Sequence, residues 1–171
     1  MVWVRKEYAG ELAVLSVWVS VLIPWSVSYV TREGISLVVI RFPFFLFQFI
    51  FGADLGALER PFLTVNRAPA FESGAVSQAY EVWLAAAVVF GLAFLLSVAY
   101  YALDERLETR FTAVHRALDP VRLLGGLLVV SGGLLLASAV MLVDAYAGLS
   151  VPLGAFFLLA FGGVLLRVER T

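Results

Sequence analysis

The residues able to do chemistry in this chain are few and set apart. Hydrolysis by a paired acid and base needs two carboxylates held roughly 5 to 9 Å apart, yet Glu81, Asp104 and Asp144 fall at the ends of apolar runs, and spacing alone brings no two of them together. The lone histidine, His115, and the absence of cysteine rule out a multi-histidine or thiolate metal centre built within one chain. No catalytic, cofactor-binding or metal-binding residue is therefore expected. Arg41 is different. It is a single charge inside the apolar run Ile35 to Phe51, and a charge in such a setting is by default a functional hypothesis. Two readings stand: Arg41 reaches a headgroup or an outer carboxylate such as Asp54, Glu59 or Glu81, or it contacts an anion or substrate.

The elements that must position these residues are dominated by hydrocarbon. Of 171 residues, 62% are hydrophobic and 15% charged, outside the range of ordinary soluble domains. Four stretches, at about residues 11–30, 80–103, 120–143 and 150–167, read as transmembrane helices. At about 1.5 Å per residue the first three cross the roughly 30 Å of a bilayer interior, and the fourth is near the short limit. The expected class is an all-α membrane protein of four transmembrane helices forming one domain over 1–171. The first run is read as a retained helix and not a cleaved signal peptide, because Glu7 and Glu11 dilute its basic start and no Ala-x-Ala site follows.

Residues 31–78 form the part that such helices leave outside. Within it, Phe45, Phe47, Phe49 and Phe51 alternate with period two, β-branched residues precede them, and Gly34 and Gly52 bracket the run. This pattern favours a β-hairpin or a re-entrant element between the first two helices. A fifth, kinked transmembrane helix is the alternative. On the opposite side, Leu103, Leu107, Phe111, Val114 and Leu118 make an apolar stripe, so 104–118 is expected as an amphipathic segment at the inner surface. Asp119 followed by Pro120 then forms a helix start, with Asp as N-cap and Pro at the first position. The clustering of Arg106, Arg110, Arg116, Arg122, Arg167 and Arg170 assigns this side and the C-terminus to the cytoplasm of a multi-pass protein of the cell membrane.

Small residues repeat along the third and fourth of these helices. Gly125, Gly132 and Ala139 recur at seven-residue spacing, as do Gly126 with Gly133 and Ala155 with Gly162. Faces of this kind let helix backbones approach in lipid, so all seven positions are expected in helix packing, within one chain or against another. Ser16 with Ser20, and Ser131 with Ser138, share helix faces and can hydrogen-bond across helices. Trp25, Tyr29 and Trp83 suit an interfacial aromatic belt, with Trp18 packed mid-bundle.

Read together, Met1-Val2-Trp3-Val4-Arg5, Glu7-Tyr8-Ala9-Gly10-Glu11-Leu12, Pro24-Trp25-Ser26-Val27, Arg41-Phe42-Pro43-Phe44-Phe45 and the closing Gly163-Val164-Leu165-Leu166-Arg167 make the chain resemble a family of small haloarchaeal integral membrane proteins of unknown function. That resemblance implies an archaeal, halophilic source and no activity. The balance of 13 acidic against 12 basic residues is mild for a salt-adapted protein, although short loops leave little surface to acidify. A net charge of −1 gives no field that would gather nucleic acid. The expected partners are the lipid bilayer and another membrane protein or a second copy. The expected role is a non-enzymatic accessory or assembly protein, with a small transporter or homo-oligomeric channel as the alternative.

Overall fold

The computed structural model describes residues 9–52, 61–102, 119–146 and 148–167. Helix α1 (Ala9–Leu22) is followed by strands β1 (Ser26–Arg32), β2 (Ile35–Arg41), β3 (Phe45–Phe51) and β4 (Phe62–Thr64). Then come the short α2 (Ala68–Phe71), the long α3 (Gly74–Ala102) and α4 (Pro120–Tyr146), strand β5 (Leu149–Val151), and α5 (Leu153–Arg167). The five strands form one antiparallel sheet in the order β4-β3-β2-β1-β5.

This corrects the expected all-α class. Among the described residues only α3 and α4 are long and apolar enough to cross a membrane. The run 11–30 is not one helix: α1 stops at Leu22, and Ser26 onward pairs with β2. Pro24 gives the physical reason, because it disfavours helical geometry in the residue before it and has no N–H to continue the ladder. At 14 and 15 residues, α1 and α5 reach only about 21 and 23 Å. The kinked fifth helix is likewise overturned, since 35–51 folds as β2 and β3 joined at Phe42 to Phe44. Between β1 and β2, Arg32 pairs with Ile35 across Glu33 and Gly34, whose φ values of 50° and 85° are those of a tight I′ hairpin turn. The amphipathic segment 104–118, with His115 and Asp104, lies outside the described residues, as do Asp54 and Glu59.

Helices α3 and α4 run antiparallel along one another. Ser131 Oγ donates to the Ala86 carbonyl at 2.9 Å and Ser138 Oγ to the Ala79 carbonyl at 2.8 Å, a matched register seven residues apart on each helix. Asp119 accepts the Val121 N–H at 3.1 Å at the start of α4, so its carboxylate caps one of the amides a helix start leaves unpaired. One half of this pair is flanked by helices: Gly10 of α1 lies against Tyr100, Trp18 Nε1 donates to Ser97 Oγ at 3.2 Å, and Gly162 of α5 lies against Gly125 and Val129. The other half is flanked by the sheet, whose inward residues Val39, Leu46 and Leu63 join one core with Ala79, Trp83, Ala86 and Phe90 of α3. Trp25 marks the changeover. Its indole packs edge-on against Phe90 at 5.2 Å, and its carbonyl accepts the Gly154 N–H at 2.9 Å.

Candidate functional site

Arg41 is the last residue of β2 and faces the seam between the sheet and α3. Its side chain is 1% exposed, the only charged side chain buried among the described residues. Antiparallel pairing sets Ser26 opposite it, and Ser28, two residues further along β1, points to the same side. Nη1 donates to Ser28 Oγ at 2.7 Å and, at a long 3.4 Å, to Ser26 Oγ, while Nη2 donates to the Tyr80 hydroxyl at 3.1 Å. The guanidinium also lies over the Tyr80 ring, 5.2 Å from its centroid, which adds an attraction of about 0.5 to 2 kcal/mol. Ser28 passes its own proton to Ser150 Oγ of β5 at 2.9 Å, so a line of hydroxyls crosses three strands.

What surrounds this cation is donors and neutral oxygens. Among the described residues no carboxylate bonds to Arg41, and Glu81, one residue beyond Tyr80, is exposed. Three buried side-chain polar atoms of the described residues lack a hydrogen-bond partner, Arg41 Nε, Trp25 Nε1 and Trp83 Nε1, and all three are donors. The Trp25 backbone N–H donates to the Arg41 carbonyl at 2.6 Å while its indole packs against Phe90, and the Trp83 ring lies 5.8 Å from the Tyr80 ring. Burying a lone cation costs several kcal/mol even after relaxation, and each unmet buried donor adds about 1 to 3 kcal/mol. The arrangement is thus poor in acceptors around a fixed positive charge.

Of the two readings of Arg41, the ion pair with Glu81 is not made. The aromatic belt is also corrected, because Trp25 and Trp83 are both fully buried and only Tyr29 is exposed. The packing positions divide. Gly125, Gly132, Gly162 and Ala155 lie buried in the seam between α4 and α5, where a Cβ on Gly162 would stand 2.7 Å from the Gly125 carbonyl oxygen. Ala139 is buried as well. Gly126 and Gly133 face away, with nothing within 4 Å of an added Cβ. Ser131 and Ser138 bond across helices, whereas Ser16 and Ser20 bond to carbonyls one turn back in α1, at Leu12 and Ser16. Sequence reasoning missed Ser26, Ser28 and Tyr80 as partners of Arg41, and Ser150 as the partner of Ser28. The one signal for the first two was the Ser-Val-Ser-Tyr-Val-Thr alternation after Trp25, which reads as a strand with serines on one face.

Fold and site together define a small helical protein in which a five-stranded sheet closes over one buried arginine. The chain belongs to a family of unknown function, DUF7549, whose model matches residues 2–170. No curated protein matches it.

Proposed function

We propose that this chain is a multi-pass integral membrane protein, with α3 and α4 crossing the bilayer and the sheet half sunk in the outer surface. The observation that supports this is a reversal of polarity. Serines, an arginine and a tyrosine hydroxyl are on the inside, while Leu15, Leu22, Val88, Leu92, Leu95, Val130, Val140, Phe156 and Leu166 are exposed on the helices. A protein in water would leave that apolar surface uncovered, whereas in lipid it is matched to its solvent. Lengths agree. Neither Val82 to Ala102 nor Leu123 to Val143 contains a charge, and each covers about 31 Å, the thickness of the hydrocarbon. Arg122 and Arg167 are exposed at the end away from the sheet and the sequence joining α3 to α4 adds Arg106, Arg110 and Arg116, against Arg32 and Arg67 exposed at the sheet end, so the positive-inside bias favours the former end, with the C-terminus, as cytoplasmic. Like its resemblance, this reading carries a haloarchaeal source.

The role follows from what is buried. None of the described acidic side chains is buried, and the single interior charge is a cation among neutral hydroxyls, a setting for holding a group and not for moving protons. The protein is accordingly read as a non-enzymatic accessory or assembly protein. Its test is extraction of native membranes with alkaline carbonate, then mild detergent, with a C-terminal tag to recover companions. Retention through carbonate and release by detergent with a near-stoichiometric membrane partner is expected; recovery in the soluble fraction ends the membrane reading. Because the chain has no cysteine, Ser73→Cys reports the side of the sheet, and labelling by an impermeant thiol reagent on intact cells is expected.

A further inference from the structure

The membrane reading gives the Arg41 centre a depth. Moving from α3's cytoplasmic end toward the sheet, the first charge met on α3 is Glu81, exposed and adjacent to Tyr80, to which Arg41 Nη2 donates. Arg41 is therefore level with the outer edge of the hydrocarbon, where lipid phosphates begin. At that depth sits a buried cation with no carboxylate bonded to it among the described residues and with its Nε unpaired. An acceptor-rich anion answers both deficits at once. A guanidinium is a strong donor to phosphate, and with Ser26, Ser28 and Tyr80 holding the Nη groups it is the Nε proton that is left unpaired for it.

We propose that the Arg41 centre binds a phosphate group, supplied at this depth by the headgroup of an outer-leaflet phospholipid. The inference rests on the membrane reading for its ligand source, and on the buried donors for its chemistry. As the seam stands it is closed over Arg41, so entry parts β2 from α3 and exchange is slow compared with diffusion. The apolar face of the sheet then lies along the acyl chains of the same lipid.

The experiment is thermal unfolding of the full chain in detergent, followed by tryptophan fluorescence, with phosphatidylglycerol, diacylglycerol or inorganic phosphate added. Phosphatidylglycerol at about a hundred times its Kd is expected to raise Tm by about 5 to 10 °C, and diacylglycerol, which lacks the phosphate, leaves it unchanged. Arg41→Met abolishes the shift without lowering the Tm of the lipid-free protein, since it removes an uncompensated charge. Arg41→Lys keeps the charge without the fork and weakens binding at least about tenfold. An equal shift from inorganic phosphate would keep the site and reassign its source to free phosphate. An equal phosphatidylglycerol shift in wild type and Arg41→Met overturns the proposal. Should Arg41→Met fail to fold, phosphorus analysis of the detergent-exchanged wild type decides: about one tightly held phosphate per chain is expected, and none overturns it. The two readings fail separately. A protein soluble without detergent that keeps an Arg41-dependent phosphate shift loses the membrane and retains the site, and a detergent-requiring protein with no shift does the reverse.

Discussion

The two faces of the sheet divide unlike those of a sheet in water: serines and a cation are set among the apolar residues of the inner one, and aromatic rings cover the outer one. Toward α3 the strands present Ser26, Ser28, Ser150 and Arg41 beside Val39, Leu46 and Leu63. Away from it they present Val27, Tyr29, Val38, Ile40, Phe45, Phe47, Phe49, Phe51, Phe62, Leu149 and Val151 with the hydroxyls of Thr31, Ser36 and Thr64, and no charge among them. The aromatic rings on β3 and β4 form a ladder, Phe45 to Phe47 at 5.5 Å and Phe47 to Phe62 at 5.6 Å. An antiparallel sheet over a soluble core keeps its apolar residues inside and its polar ones in solvent. Here the hydroxyls and the Arg41 Nη groups bond to one another in the seam, with Arg41 Nε left unmet, and aromatic and aliphatic side chains are turned outward. On the membrane reading proposed above, the contrast teaches that burial in this fold is governed by hydrogen-bonding as much as by hydrophobicity, because a surrounding of lipid would reward no inward movement of a leucine but would penalise every unpaired hydroxyl.

The largest break of this contrast comes from truncating one large residue on each face. Leu46 is fully buried against the helices, and Leu46→Ala is expected to cost about 2 to 5 kcal/mol, through the lost contacts and the cavity left behind. Phe49 is 44% exposed on the other face, and Phe49→Ala is expected to cost under about 1 kcal/mol in detergent. Denaturant unfolding of the two variants in the same detergent checks both. Comparable losses would mean that the outer face is packed against something, and the reversal would then describe an interface within an assembly.

Arg41 was legible because one charge in an apolar run stands out, and the Asp119-Pro120 start of α4 was legible because capping is local. The rest was hidden by range and by ambiguity. A short apolar run has the same hydropathy whether helical or extended, so Ser26 to Val30 was absorbed into the helix before it although its alternation is that of a strand. Three-residue strands such as β4 and β5 carry no period at all. The pairing of Ser28 with Ser150 joins positions far apart in sequence, and no local rule anticipates it. Tryptophans flanking a bundle read as interfacial by residue type, yet Trp25 and Trp83 are interior because the sheet, of which the sequence shows only the hairpin run of 35–51, covers them.

The same inside-and-outside contrast appears on α4 and α5 in adjacent glycines, with a smaller expected effect. In Gly162→Ala the new methyl meets the Gly125 carbonyl oxygen and Val129 Cγ2, each at 2.7 Å. One of these is backbone, so the helices must separate, at a cost of about 1 to 3 kcal/mol. In Gly163→Ala nothing lies within 4 Å, and the helix gains up to about 1 kcal/mol from the better helix former. Opposite signs of the change in Tm are expected for neighbouring positions. Equal signs would mean that the two helices do not pack at Gly162.

The smallest effect sharpens how deep the sheet lies. Near the Glu33-Gly34 turn the outer face has one polar corner, where the Ser36 hydroxyl stands 3.4 Å from the Tyr29 hydroxyl and 3.1 Å from that of Thr31. Hydrogen bonds from Ser36 and then Thr31 favour the phenolate and hold the Tyr29 pKa below its ordinary 10.0, against a weaker opposing effect of burial. A phenol whose folded pKa is depressed favours the folded state above the ordinary value, and that preference is lost as pH falls through the lowered one. For so exposed a group the consequence for stability is negligible, and the readout is phenolate absorbance, taken as wild type minus Tyr29→Phe. Titration below the ordinary tyrosine range is expected both in detergent and in lipid vesicles, with Ser36→Ala moving it back up. A midpoint that is low in detergent but raised in vesicles would mean that hydrocarbon desolvates the corner. The sheet would then be immersed to its outer turn, and the Arg41 centre would lie below the phosphates instead of level with them.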